Sequence, residues 1–138
     1  IAMKYLLDAN ILFGALTESH PFHSFFRGWL IAHRADGLCT CAEVRLAYLR
    51  LSMNPDVMSQ SPLDARVAWE TLENFLGEIA PEVIISTPPR EEFVVRAERH
   101  RDVQDYYLVQ LAGDAGCRLV THDARLCRQW PKHTIRIA

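Results

Sequence analysis

Four carboxylates, Asp8, Glu43, Asp105 and Asp123, have the type and placement to do chemistry. In "MKYLLDANIL", residues 3–12, an apolar run suited to a buried strand ends directly on Asp8. Glu43 falls in the first turn of the helix expected after "LCT", and Asp105 in the first turn of a helix after the "RHRD" loop. Asp123 follows the strand-like "RLVT" by two residues. In open parallel sheets, ligands sit beyond the carboxyl ends of the strands, where strand turns into helix. Acids gathered there without compensation repel one another, and such a group holds a hard cation. Oxygen-only donors favour Mg²⁺ or Mn²⁺ over zinc, and carboxylate-held Mg²⁺ keeps waters that suit phosphodiester chemistry.

Each acid also has a purely structural reading. Thr40-Cys41-Ala42-Glu43 matches a capping box, in which Glu43 would only satisfy the Thr40 amide. Asp123 could cap a helix beginning at Ala124, and Asp102 reads as the cap of the helix that follows it. First-turn acids are favoured by the helix dipole whatever the function. Capping explains each acid alone but not their shared location, and Asp8, directly after an apolar run, fits it least.

The elements that must position these acids alternate along the chain. A strand over Lys4–Leu7 leads to a helix from Ile11 to about Leu16, which "ESHPFHS" ends. Phe22, Phe25, Phe26, Trp29 and Leu30 have the spacing of a buried helix face over 22–33. "LCTC" is a short strand, and a helix from Thr40 stops near Asn54-Pro55. Ser61 with Pro62 behind it predicts the cap of a helix reaching Ile79. "EVIIS" reads as a strand and "TPPREEFVVRAERH" as a helix. "VQDYYLVQLAGDA" is a helix ending at Gly116, "RLVT" a strand, "HDARLCRQW" a helical turn and "TIRI" a last strand. This alternation predicts one α/β domain over residues 1–138, with a mainly parallel sheet and helices on both faces.

Composition narrows the classes. Hydrophobic residues make up 49% and charged ones 23% of 138, as in ordinary globular domains. No apolar stretch approaches the ~18–20 residues of a membrane span, and Asp8 interrupts any signal-like run near the start. Ile1 and Ala2 precede the first methionine and read as additions to the native start. Cys39, Cys41, Cys117 and Cys127 form no C-x-x-C pair, which suits a reducing, cytoplasmic setting. The net charge of −2 supplies no global attraction for nucleic acid, so any such contact must be local or metal-mediated.

Three blocks, "LLDANIL", "TCAEVRLAYLRLSMNP" and "HRDVQDYYLVQLAGDAGCRLVTHDARL", occur in an order that resembles PIN domains of the VapC toxin type. The strongest part is Asp105 eighteen residues before Asp123, with Leu108, Leu111-Ala112, Gly116, Leu119 and Thr121 in register between them. The resemblance implies a PIN-like three-layer α/β/α sandwich and a Mg²⁺-dependent endoribonuclease, with Mn²⁺ able to substitute. It implies a cognate antitoxin protein as partner, an RNA substrate and a homodimer, and it makes Asp8, Asp105 and Asp123 acidic metal-site residues. Glu43 carries over less directly, because Arg45 occupies the position matching the family's glutamate, and two residues along a helix turn a side chain by roughly 200°. Gln104 and Tyr106, beside Asp105, depart from the Thr and Ala usual there.

Asn10 and Thr121 are candidates to orient the ligands from behind. His100, Arg101, Arg45, Arg50, Arg125 and Arg128 are candidates for RNA phosphate contacts. His20 and His23 lack the cysteine pair that would make them zinc ligands. The stripe at Phe22, Phe25, Phe26 and Trp29 is expected to be mostly core, with part of it free for an antitoxin helix or a second copy. Two rival readings stand beside the nuclease: a catalytically degenerate PIN domain acting as a binding module, and a nucleotide-binding or phosphatase domain. The latter lacks a G-x-G-x-x-G, a P-loop and a D-x-D after the first strand.

Overall fold

The computed structural model describes residues 3–59 and 61–138; the reading of Ile1 and Ala2, and Gln60 of the predicted loop, lie outside them. In chain order the elements are β1 (Lys4–Leu7), α1 (Ala9–Leu16), α2 (His23–Ala32), β2 (Leu38–Thr40), α3 (Ala42–Met53) and α4 (Ala65–Ile79). They continue with β3 (Glu82–Val83), α5 (Glu91–Val94), α6 (Asp102–Asp114), β4 (Cys117–Thr121), α7 (Ala124–Gln129) and β5 (Thr134–Arg136). No helix among the described residues is long and apolar enough to cross a membrane.

All strand pairs are parallel, in the order β3-β2-β1-β4-β5. The chain builds outward from β1 through β2 to β3, then crosses to the other side of β1 to lay down β4 and β5. The direction of building therefore reverses at the β1–β4 pair, the kind of place where open parallel sheets take ligands beyond their strand ends. Leu7 stands opposite Val120, and the Asp8 amide donates to the Val120 carbonyl at 2.9 Å, so Asp8 and Thr121 leave the sheet side by side.

The core explains why these segments fold as they do. Leu6 and Leu7 are wholly buried, as a central parallel strand covered on both faces requires. Ile11, Leu12 and Ala15 form the inner side of α1, and Ala68, Leu72, Phe75, Leu76 and Ile79 that of α4. Each buried Leu, Ile or Phe side chain contributes roughly 1.5–3 kcal/mol. Helices α1 and α2 approach closely at Gly14, where a Cβ would meet the Phe26 ring at 2.5 Å.

Several boundaries differ from the sequence reading. Helix α4 is capped by Asp64, whose Oδ1 accepts from the Val67 amide at 2.9 Å, and not by Ser61. The Leu63 amide donates to the Ser52 carbonyl at 2.8 Å, which holds residues just before it against the end of α3 and delays the helix. The "EVIIS" strand is reduced to Glu82–Val83, because its partner β2 has only three residues, and Ile85 is 88% exposed. The helix expected over "TPPREEFVVRAERH" shrinks to Glu91–Val94 between Pro88-Pro89 and a run of turns. Asp102 does not cap α6; its carboxylate accepts from the amides of Glu98 and Arg99 and so closes the turn before that helix. In the aromatic stripe Phe26 and Leu30 are core, whereas Phe22 and Phe25 are exposed.

Candidate active site at the strand ends

Asp8 is the residue at which β1 becomes α1, and it is buried. Its Oδ1 accepts from the Ala9 amide at 2.7 Å, and its Oδ2 accepts from the Thr121 hydroxyl at 2.7 Å. Thr121 Oγ1 in turn accepts from Asn10 Nδ2 at 3.3 Å and from the Asp123 amide at 3.1 Å. One hydroxyl at the end of β4 thus ties together the residues following β1 and those following β4. Asn10 is thus bonded to Thr121, and Thr121 to both Asp8 and the Asp123 backbone. Burial raises the Asp8 pKa above the ordinary carboxylate range, and the Asp123 charge adds to the rise, while the bonds from Thr121 and Ala9 oppose it.

Asp123 is the cap of α7, its Oδ1 accepting from the Leu126 amide at 3.1 Å. The structural reading of this acid is therefore correct, yet capping uses one carboxylate oxygen and leaves the other available. Asp105, in the first turn of α6, has its pKa pushed up to about 7. Burial is the main cause, followed by the charges of Asp8, Asp123 and Asp102, with Arg99 acting the other way. Three aspartates from three separate elements therefore feel one another across the switch point of the sheet.

Glu43 is held elsewhere. The Ser86 hydroxyl lies 2.7 Å from both its carboxylate oxygens, and Thr40 makes no capping box with it, since Cys41 is the cap position and forms no side-chain cap bond. Ser86 was not among the sequence candidates; a serine in an exposed stretch after a short strand carries no signal of its own.

The basic candidates divide into two groups. Arg45 pairs with Glu73 and lies over the Trp69 ring, bridging α3 and α4. Arg125 donates to Asp102 at 2.6 Å. Arg50, His100, Arg101 and Arg128 stand exposed. His20 Nδ1 accepts from the Phe22 amide and His23 Nδ1 bonds the Gly14 carbonyl, so both rings serve the local backbone.

The donor set suits a hard cation in kind. It is all oxygen and net negative, and two buried acceptors at these strand ends, Asn10 Oδ1 and Thr40 Oγ1, have no hydrogen-bond partner in the structure. Among the described residues no three His, Cys, Asp or Glu side chains stand close enough to enclose an ion by themselves. Mg²⁺ needs no such cage, because one or two carboxylates and several waters satisfy it.

A family model described as PIN domain matches residues 5–129. The chain is 32% identical over 139 residues to "Ribonuclease VapC38" of Mycobacterium tuberculosis, covering 96% of each. It is 30% identical over 131 residues to "Ribonuclease VapC39" of the same species, covering 90% of this chain and 91% of that one. Among solved structures, PAE2754 from Pyrobaculum aerophilum is similar with a TM-score of 0.64 at 23% identity, over 99% of this chain and 92% of that one. VapBC2 from Rickettsia felis, bound to a DNA fragment from their promoter, is similar with a TM-score of 0.65 at 20% identity, over 98% of each chain. These two structural likenesses concern the fold.

Proposed function

The chain belongs to the PIN-domain family, and on that premise we propose that it is a metal-dependent endoribonuclease, the toxin of a toxin–antitoxin pair. The observation that carries the reading is the convergence of Asp8, Asp105 and Asp123 at the switch point, with Asp105 pushed up to about 7 by burial and by its neighbours. Relatives named as ribonucleases, aligned over nearly their whole length, support the activity. A solved VapBC complex of the same fold makes an antitoxin a reasonable partner to seek.

In this reading Asp8 and Asp105 hold Mg²⁺ or Mn²⁺, with Asp123 and Glu43 completing the set. The ion would acidify a bound water and neutralise charge on the scissile phosphate. The chain's own residues do the rest. Thr121 and the Ala9 amide fix the Asp8 carboxylate, one bond to each oxygen. Asn10 Oδ1 offers an acceptor that can orient a water. Exposed Arg50, His100 and Arg101 would draw the RNA backbone to an otherwise negative cleft. Phe25 on α2 and Phe22 just before it, both exposed, would serve a homodimer or antitoxin contact, and the four free cysteines accord with a cytoplasmic location.

The second reading, a degenerate PIN domain that binds without cutting, draws on Glu43 being engaged by Ser86. A Mn²⁺ titration of EDTA-treated protein separates the two. The nuclease reading expects saturable binding that Asp105→Asn weakens by roughly tenfold or more; weak binding unaffected by that change would favour the binding module.

A further inference from the structure

We propose that the Asp102–Arg125 ion pair is the positioning element of the site: it locks the helix carrying Asp105 to the helix that starts at Asp123, and so sets the spacing of those two carboxylates. The inference rests on the metal-nuclease reading for its consequence, though not for the lock itself.

Asp102 lies one helical turn before Asp105 on α6, and Arg125 two residues after Asp123 at the start of α7. Arg125 Nη1 donates to Asp102 Oδ1 at 2.6 Å, and Arg125 Nη2 lies 3.6 Å from Glu98 Oε2. The Asp102 side chain is only 3% exposed. It also accepts from the Glu98 amide at 3.2 Å, the Arg99 amide at 3.0 Å, and Arg99 Nε and Nη2 at 3.2 and 3.0 Å. Five donors occupy the roughly four lone-pair sites of a carboxylate, so Asp102 has nothing left for a metal. It is an anchor and not a ligand.

Closing the turn before α6 would need only the two amide bonds. The bond to Arg125 is additional, and it spans twenty-three residues and two helices. Helix α7 has six residues, too few to hold its own geometry, so tertiary contacts must fix it. Among those contacts are Leu126 in the core, the packing of α7 on β5 and Arg125 on Asp102. Asp102 is also a third negative charge acting on Asp105, and two guanidiniums compensate it where it stands. Removing Arg125 would therefore loosen α7 and leave Arg99 alone of the two guanidiniums to compensate the charge beside Asp105.

The test uses the full chain after EDTA treatment, with Arg125→Gln, Arg125→Lys, Asp102→Asn and, as control, Arg99→Gln, which leaves the link to α7 in place. Two quantities are read: hydrogen exchange at the amides of residues 123–127, and the Mn²⁺ dissociation constant. Arg125→Gln should speed exchange at the start of α7 while β1 and β4 keep their protection. It should also weaken Mn²⁺ by roughly tenfold or more. Arg125→Lys should recover part of that affinity, and the control should keep wild-type exchange at residues 123–127. Should Asp102→Asn fail to fold, the two Arg125 variants decide the matter. Faster exchange with unchanged Mn²⁺ affinity would reduce the pair to a structural contact and overturn the proposal, as would wild-type exchange in Arg125→Gln. Wild-type protein that takes up no Mn²⁺ would defeat the metal reading and the proposal with it; the exchange measurement, which needs no metal, tells that failure from a lock that does not hold.

Discussion

Asp105 is where burial and charge conflict most. Burial and the neighbouring acids push its carboxyl up to about 7 in the folded chain, against ~3.9 for an unfolded aspartate. Between those values the folded state keeps a proton that the unfolded state has lost, so stability falls as pH rises through the window and levels off above it. Asp8, also raised, adds a slope of the same sign. Asp102 has the opposite sign. Burial works against its charge, but the bonds from Arg125 and Arg99 outweigh it, and its stabilisation is lost only as pH falls below the ordinary aspartate range. Thermal melts of EDTA-treated protein between about pH 5 and pH 8 should therefore show a decline that Asp105→Asn flattens, with the variant at least as stable as wild type near pH 8. An unchanged decline, or a variant that unfolds, would mean that Asp105 is structural. The place of Asp8 at the end of β1 was legible because a strand running straight into an acid is a local pattern, whereas Asp105 lies in the first turn of α6 behind a run of turns. The roles of Arg45 and Arg125 were not legible, since their partners lie twenty-eight and twenty-three residues away.

At the scale of elements, α3 and the 84–90 segment together decide what Glu43 does. The segment is fixed to α6 by Gln110, which is wholly buried, accepts from the Arg90 amide at 2.8 Å and donates to the Pro88 carbonyl at 2.9 Å. The Tyr107 hydroxyl donates to the Thr87 carbonyl beside it. Ser86 is thereby held against Glu43, whose carboxylate keeps lone pairs beyond the one that this hydroxyl occupies. If Glu43 joins the aspartates, Glu43→Gln should lower the rate of RNA cleavage by roughly tenfold or more, while Ser86→Ala should leave it unchanged or raise it. Full activity in Glu43→Gln would leave a centre of three acids. The order and type of elements could be read from periodicity, but their lengths could not. A strand extends only as far as its partner, and β2 offers β3 three residues. The start of α4 was set by a bond from Leu63 to Ser52 that no local signal announces. At its end, Ala80 takes the left-handed conformation (φ 44°) usually left to glycine, so that boundary too had no glycine to mark it.

Over the whole molecule, a chain of net charge −2 places its acids together where the parallel sheet reverses direction, and RNA would meet a negative cleft there. In the proposed function a divalent ion would resolve that conflict, and the exposed Arg50, His100 and Arg101 would supply the salt-sensitive remainder of the attraction. Whether the three aspartates form a metal-dependent RNA-cleaving site is decided by digesting a fluorescent single-stranded RNA with purified protein, with Asp8→Asn run in parallel. Cleavage should appear with Mg²⁺ or Mn²⁺, vanish with EDTA, return when the ion is restored, and be absent from Asp8→Asn. Equal cleavage by the two proteins, or activity that survives EDTA, would contradict the account.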